Sequence, residues 1–263
     1  MALEKELEVA MEIVRAAGEL VMKYYQTDLE VIKKEDDSPL TIADQKSNEL
    51  IVQRLHDAFP QDGIVSEELA SVEGDRKWYV DPIDGTESFA RKEGSFAIHI
   101  GLAIDQSPVL GLVYHPPSKD LYYGIKGVGA FYRNLDSNKE RKLMITPPVK
   151  NIFIMVDSDH HPIGHKIRDI INPTSIVTCG SEGLRLMKIV DNLADVRVSS
   201  SEFRIGTWDT CAPQALVEAA GGFIRYFDGS RIKYMGQGKI AQRYICTKSQ
   251  EQFESIQKKI VER

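Results

Sequence analysis

The stretch Trp78-Tyr79-Val80-Asp81-Pro82-Ile83-Asp84-Gly85-Thr86 constrains this chain more than any other. Two acids stand among apolar and turn-forming residues, which is not the pattern of a surface charge run. Trp78-Tyr79-Val80 reads as a buried strand, with Asp81 where it ends. Pro82 lacks a backbone donor and fixes a turn, and Gly85 lets main chain approach a ligand closely. Asp81, the Ile83 carbonyl and Asp84 would then surround one point with hard oxygen atoms, a set that suits Mg2+. The Gly85 and Thr86 amides, opening a helix, offer a place for an anion such as phosphate. Asp-Pro and Asp-Gly pairs also make plain turns, and an Asp after a strand often just caps a helix. The second acid, the strand before and the helix after favour the metal reading.

With 263 residues and 42% hydrophobic content, the chain can bury a large core, as one domain or two smaller ones. The formal charge of −6 argues against a binder of nucleic-acid polymers, which needs a basic face. It leaves room for a small phosphorylated substrate, because bound Mg2+ supplies local positive charge. Cys179, Cys211 and Cys246 are odd in number and widely spaced, so neither a disulfide framework nor a zinc site is expected. A reduced, cytoplasmic setting accounts for them most simply. The acids Glu4, Glu6, Glu8, Glu12 and Glu19 exclude a signal peptide in the first helix. No apolar run is long enough to cross a membrane.

Helical spacing runs over Leu3–Tyr25 and again over Thr41–Phe59, with a charged loop or hairpin at Lys33–Ser38 between them. Ile64-Val65-Ser66 reads as a short strand, and Phe89–Glu93 as the end of a short helix. Phe96, Ile98, Ile100, Leu102 and Ile104 alternate as in a strand. Val109–Tyr114, Leu121–Ile125 and Ala130–Arg133 continue an antiparallel meander. The polar, Pro-containing stretch Lys139–Lys150 is the candidate boundary between halves 1–148 and 149–263. Strands at Ile152–Val156, Ser175–Thr178, Val196–Val198, Phe223–Tyr226 and Tyr244–Thr247 follow it. They alternate with helices at Ile163–Ile171, Gly183–Asn192, Thr210–Ala220 and Gln250–Val261. The expected fold class is α/β: an α+β layered sandwich with an antiparallel-sheet half and a smaller mixed-sheet α/β half.

Three other places supply acids: Ser66-Glu67-Glu68, Trp208-Asp209-Thr210 and Thr41-Ile42-Ala43-Asp44. Each has a plainer reading. Glu67 and Glu68 could be a solvated pair, Asp209 a helix cap, and Asp44 a first-turn acid placed for the macrodipole. In combination and in this order, Ser-Glu-Glu, Asp-Pro-Ile-Asp-Gly-Thr and Trp-Asp resemble the Mg2+-dependent, lithium-sensitive phosphomonoesterases of the inositol monophosphatase superfamily. The resemblance runs from the first helix to about Gly222. It implies that Glu67, Asp81 and the Ile83 carbonyl hold one Mg2+, and that Asp81, Asp84 and Asp209 hold another, two or three ions in all. It further implies phosphate on the Gly85 and Thr86 amides, and an attacking water oriented by Thr86 with Asp44. The resemblance also implies that Glu67 takes part in catalysis through the metal and that Glu68 supports the ligands without touching it. Gly180, Ser181 and Asp209 would contact substrate. A homodimer is compatible with the resemblance.

Within the superfamily, several segments are most similar to the 3′(2′),5′-bisphosphate nucleotidases. These are Lys34–Asp44, Arg91–Phe96 and Pro108–Pro116; Gly180-Ser181 is shared more widely. The resemblance makes 3′-phosphoadenosine 5′-phosphate the first substrate expectation, cleaved to AMP and phosphate. An inositol or sugar monophosphatase is the alternative. The chain departs from the nucleotidases at Ile83, where Leu is usual, and at Glu87-Ser88-Phe89, where Lys-Glu-Phe is usual. It departs again at Gly238–Ala241, in place of an Asn-Pro-x-Phe segment. Arg185 and Lys188, three apart on a helix, share a face. They would contact a second phosphate or the sugar, or form a solvated basic face, which is slightly preferred. His160, His161 and His165 fall in a polar loop and read as surface residues. A rival of another class is a non-catalytic protein that binds a phosphorylated metabolite. The pair Asp44 and Thr86 speaks against it, since a pure binder has no use for a water-activating group.

Overall fold

The computed structural model describes residues 3–27, 31–33, 39–68, 74–199, 205–236, 238, 240 and 242–262. The expected loop at 34–38, the first part of the nucleotidase-like lead-in to Asp44, and positions 239 and 241 lie outside these. The chain opens with α1 (Glu4–Tyr25), the short strands β1 (Val31–Lys33) and β2 (Pro39–Thr41), and α2 (Ile42–Ala58). Next come β3 (Gly63–Ser66), β4 (Arg76–Asp84), the single-turn α3 (Thr86–Ala90) and β5 (Ala97–Ile104). The meander continues through β6 (Ser107–His115), β7 (Asp120–Ile125), β8 (Gly129–Asn134) and β9 (Glu140–Leu143). The rest is β10 (Ile154–Ser158), α4 (His165–Ile171), β11 (Ser175–Cys179), α5 (Glu182–Val190) and β12 (Val196–Val198). It ends with α6 (Thr207–Ala219), β13 (Phe223–Tyr226), β14 (Tyr244–Thr247) and α7 (Gln250–Val261).

Strands β3 to β9 lie in sequence order in one seven-stranded sheet, antiparallel except for the parallel β3–β4 pair. The second sheet has the order β11-β10-β12-β14-β13 and is mixed, with β10 parallel to β11 and β12. Alternation along β5 explains the layering. Ile98, Ile100 and Leu102 point into a core shared with α1 and α2, whereas Ala97 and Ala103 belong to the core on the opposite face. That second core also takes in Leu186 of α5, Leu216 of α6 and Ile224 of the second sheet. A third core, with Met155, Val196 and Phe253, joins the second sheet to α4 and α7. The layers are therefore helix, sheet, helix, sheet, helix.

Small residues set how closely α6 crosses the first sheet. A Cβ on Gly111 would lie 2.2 Å from the Ala212 carbonyl oxygen, and one on Gly101 2.7 Å from the Ala212 nitrogen. The bare backbone there lets the helix lie directly on the sheet, and its first turn brings Asp209 over the end of β4.

Three expectations about elements need correction. Strand β4 does not stop at Asp81 but runs to Asp84, with a register shift: Asp81 pairs with His99 and Asp84 with Ala97. Three steps along β4 match two along β5, which is a bulge, and Pro82 sits in it because it has no N–H to give the ladder. The short helix after the motif opens at Thr86 as expected but ends at Ala90 and does not continue to Glu93. The polar boundary stretch contains β9, an edge strand whose Glu140, Arg141 and Lys142 are exposed.

Candidate active site

The β4 bulge is the foundation of the site. Asp81 accepts a hydrogen bond from the Ile83 nitrogen at 3.0 Å, which holds the loop of the bulge against its own carboxylate. Gly85 follows with φ of 90°, a conformation that L side chains rarely adopt. A Cβ there would also meet the Ser95 carbonyl oxygen at 2.8 Å. This turn releases the chain into α3 and places Thr86 beside the end of the strand.

Asp81, Asp84 and Asp209 each offer a carboxylate oxygen within 4.8 Å of the others. Asp209 is the third residue of α6, and its Oδ2 accepts from the Gly206 nitrogen, the capping position. One oxygen thus completes the helix end while the carboxylate faces Asp81 and Asp84. The cap reading and the ligand reading of Asp209 are compatible in one side chain. Glu67, just after β3, lines the same cleft, and its backbone nitrogen donates to the Val80 carbonyl at 3.2 Å.

Asp44 is fully buried in the first turn of α2, within a capping box. Its Oδ2 accepts from the Thr41 nitrogen at 2.8 Å and the Thr41 hydroxyl at 2.6 Å. Its Oδ1 faces the Thr86 hydroxyl at 3.1 Å, and the same hydroxyl lies 3.0 Å from the Ile83 carbonyl oxygen. Both residues singled out for water activation therefore touch, and they do so beside the carbonyl expected to ligate metal.

Electrostatics separates the acids. Burial raises Asp44 to about 6, with the charge of Glu67 adding to the rise and the Thr41 hydrogen bonds opposing it. Burial, followed by repulsion from Glu67, pushes Asp81 well above the usual carboxylate range. Asp209 is raised in the same way, by burial and by the charge of Asp84. Asp84 goes the other way: burial alone would raise it, but His99, Arg185 and Ser181 hold it below the ordinary value. Buried carboxylates that repel one another are stabilised by a cation or a shared proton. Oxygen donors at this density fit a hard divalent ion.

The acids open onto a cleft of about 200 Å3, lined among others by Gly85, Thr86, Gly180, Arg185, Arg197 and His160. Gly180 is at the wall, whereas the Ser181 hydroxyl is committed to Asp84 at 2.5 Å and to the Leu184 nitrogen at 3.1 Å. Glu68 is held near the end of β3 by the Ser66 hydroxyl, 3.4 Å from its nitrogen.

Two surface readings are overturned. Arg185 is buried, with its guanidinium 2.6 Å from Glu182 and 3.0 Å from the Cys179 carbonyl, so it is no solvated basic face. Lys188 lines a separate cavity with His115 and Asp191. His160 is also partly enclosed, its Nε2 being 2.9 Å from Glu93 and 3.1 Å from the Ser88 hydroxyl. Sequence reasoning missed Arg197 altogether. It is buried and pairs with Glu182 at 2.9 and 3.0 Å and with Asp157 at 3.0 Å. No periodicity marks such a residue: a lone Arg in a three-residue strand resembles any edge position.

The sequence profile of the inositol monophosphatase family matches residues 2–262. The chain belongs to the inositol monophosphatase family. As a family member it is a phosphoric monoester hydrolase. A 3′(2′),5′-bisphosphate nucleotidase CysQ from Aggregatibacter actinomycetemcomitans is 30% identical over 229 residues, 83% of each chain. A histidinol-phosphatase from Chlorobaculum parvum is 28% identical over 243 residues, 90% of this chain and 91% of its own. Among solved structures, the Thermotoga maritima IMPase superposes with a TM-score of 0.82 at 23% identity, covering 98% of both chains. The family fold and the layered sandwich described above thus coincide. No helix among the described residues of this phosphatase is long and apolar enough to cross a membrane.

Proposed function

We propose that this phosphatase is Mg2+-dependent and hydrolyses a small phosphorylated metabolite by direct attack of water, with 3′-phosphoadenosine 5′-phosphate as its substrate. The observation that carries the reading is the convergence of Asp81, Asp84 and Asp209 beside the touching pair Asp44 and Thr86. Glu67, Asp81 and the Ile83 carbonyl would hold one ion and Asp81, Asp84 and Asp209 a second, with two or three ions in the working site. When bound, the ions supply charge stabilisation for the phosphoryl oxygens and acidify water. Stabilisation on that scale is needed because uncatalysed phosphate monoester hydrolysis is very slow.

The chain's own groups account for orientation and proton movement. The Thr86 hydroxyl can donate to Asp44 or to Ile83 O while accepting from the attacking water. Asp44, ionised above about pH 6, takes the proton that Thr86 passes on. The Gly85 and Thr86 amides bind the phosphate, and Gly180 and Asp209 face the rest of the substrate, while the Ser181 hydroxyl expected there is turned onto Asp84. The two halves, 1–148 and 149–263, meet at this cleft in our reading, the second supplying Asp209.

The nucleotidase assignment rests on the segments noted above and on the CysQ relative. A monophosphate substrate, an inositol or sugar phosphate among them, is favoured instead by one observation: the Arg185 guanidinium is turned onto Glu182. Side-by-side kcat/KM values for 3′-phosphoadenosine 5′-phosphate, inositol 1-phosphate and histidinol phosphate decide between them. The proposal expects the bisphosphate to lead; a monophosphate turned over at least tenfold better would replace it.

A further inference from the structure

Two elements, the first turn of α5 and strand β5, converge on one carboxylate oxygen of Asp84. Its Oδ2 accepts from the Ser181 hydroxyl and, at 2.8 Å, from the Gly183 nitrogen, both in the first turn of α5. The imidazole of His99, on β5, places Nε2 3.1 Å from the same oxygen. His99 is 0% exposed, and neither ring nitrogen has a well-aligned hydrogen-bond partner among the described residues. A buried imidazole left in that state costs free energy, so its position calls for a reason. The adjoining backbone is shaped to admit the ring: a Cβ on Gly183 would lie 2.1 Å from Nε2.

Glu182, between the two residues that grip Asp84, is itself clasped. Arg197 meets both of its oxygens, at 2.9 and 3.0 Å, and the Tyr244 hydroxyl donates to it as well. All three side chains are buried. The clasp ties the first turn of α5 to β12 and β14, so the donors to Asp84 cannot drift with the helix.

We propose that His99 and the α5 turn, the turn anchored by the Glu182–Arg197 clasp, are positioning groups that face Oδ2 of Asp84 and leave its Oδ1 to the metal. The inference rests on the Mg2+ reading of the site. Outer groups of this kind typically change metal affinity by 10–100-fold when lost.

Titration calorimetry of Mg2+ into the substrate-free protein tests it. His99→Leu keeps the volume and removes the polar contact; it should weaken Mg2+ binding by about 10–100-fold. His99→Gln, which restores a donor, should lie within about threefold of wild type, as partial retention of an outer contact implies. In turnover, the Mg2+ concentration for half-maximal rate should rise for His99→Leu while KM for substrate stays within twofold. Should His99→Leu not fold, Ser181→Ala takes its place with the same expected loss. Wild-type affinity in the variant would overturn the positioning role and leave the Mg2+ reading standing. Absence of saturable Mg2+ heat from the wild type would overturn both.

Discussion

Single residues carry the division of labour in this site. Asp84 and Asp44 are both buried acids, yet one is held low by His99, Arg185 and Ser181 and the other pushed up to about 6. The first is suited to stay charged against a cation, the second to exchange a proton near neutral pH. Asp84→Asn keeps size and most hydrogen bonds, so turnover should fall by more than about a hundredfold, beyond the loss typical of an outer group. The fold should be kept by circular dichroism, with a lower melting temperature of the metal-free protein because the ionised Asp84 adds stability. Retained turnover would remove Asp84 from the ligand set. Because Asp44 must be ionised to accept a proton, log(kcat) should decline below about pH 6. A flat profile down to pH 5 would exclude it as the acceptor. Asp81 and Asp84 were legible because they lie in one short motif with turn residues around them, whereas Asp209 read equally as a helix cap and joined them only through the family resemblance. His99, Glu182 and Arg197 were not legible, since a buried charge contact has no local sequence pattern and exists only once distant strands pair.

At the scale of elements, two turns fix the geometry. Thr41 caps α2 and grips Asp44, so Thr41→Ala should cost about 1 kcal/mol of stability by chemical denaturation. The same change removes the hydroxyl's hydrogen bond to Asp44, the larger of the two Thr41 contacts that lower its pKa, and leaves the backbone one in place. The acid limb of the rate profile should then move to higher pH; movement to lower pH would contradict the assignment. Gly85→Ala forces a side chain into the left-handed region and toward Ser95, at a cost of about 1–3 kcal/mol. It should also impair turnover more than Asp44-independent surface changes. The meander from β5 to β8 was readable from alternation, because each strand buries its two faces against different cores. The β4 bulge was not: Pro82 reads as a turn, and only pairing with β5 shows that the strand resumes at Asp84. Edge strand β9 escaped notice because solvent covers its polar residues and leaves no alternation to see.

For the whole molecule, convergence of acids is a stability liability that a cation relieves. Asp44, Asp81 and Asp209 all have folded pKa values raised above their unfolded ones. Their contribution is therefore fully present below the unfolded pKa and is lost as pH rises through the folded values. Metal-free protein should be more stable at pH 6 than at pH 8 by thermal melting. Asp84 and Glu182, held low, add stability that is lost only in stronger acid. At a hundredfold excess over its Kd, Mg2+ should add about 2.7 kcal/mol, or roughly 5–10 °C in Tm. The layered order of helices and sheets followed from composition and periodicity together with the family resemblance. The cleft's basic wall, built from Arg185 and Arg197, came from the packing of α5 against the second sheet.

Phosphate release from 3′-phosphoadenosine 5′-phosphate, measured for wild-type protein with Mg2+ and again with a chelator in excess, bears most directly on the account. Turnover that requires Mg2+ and returns when the ion is restored is the predicted result. Equal release in both conditions would contradict a site built on converging carboxylates.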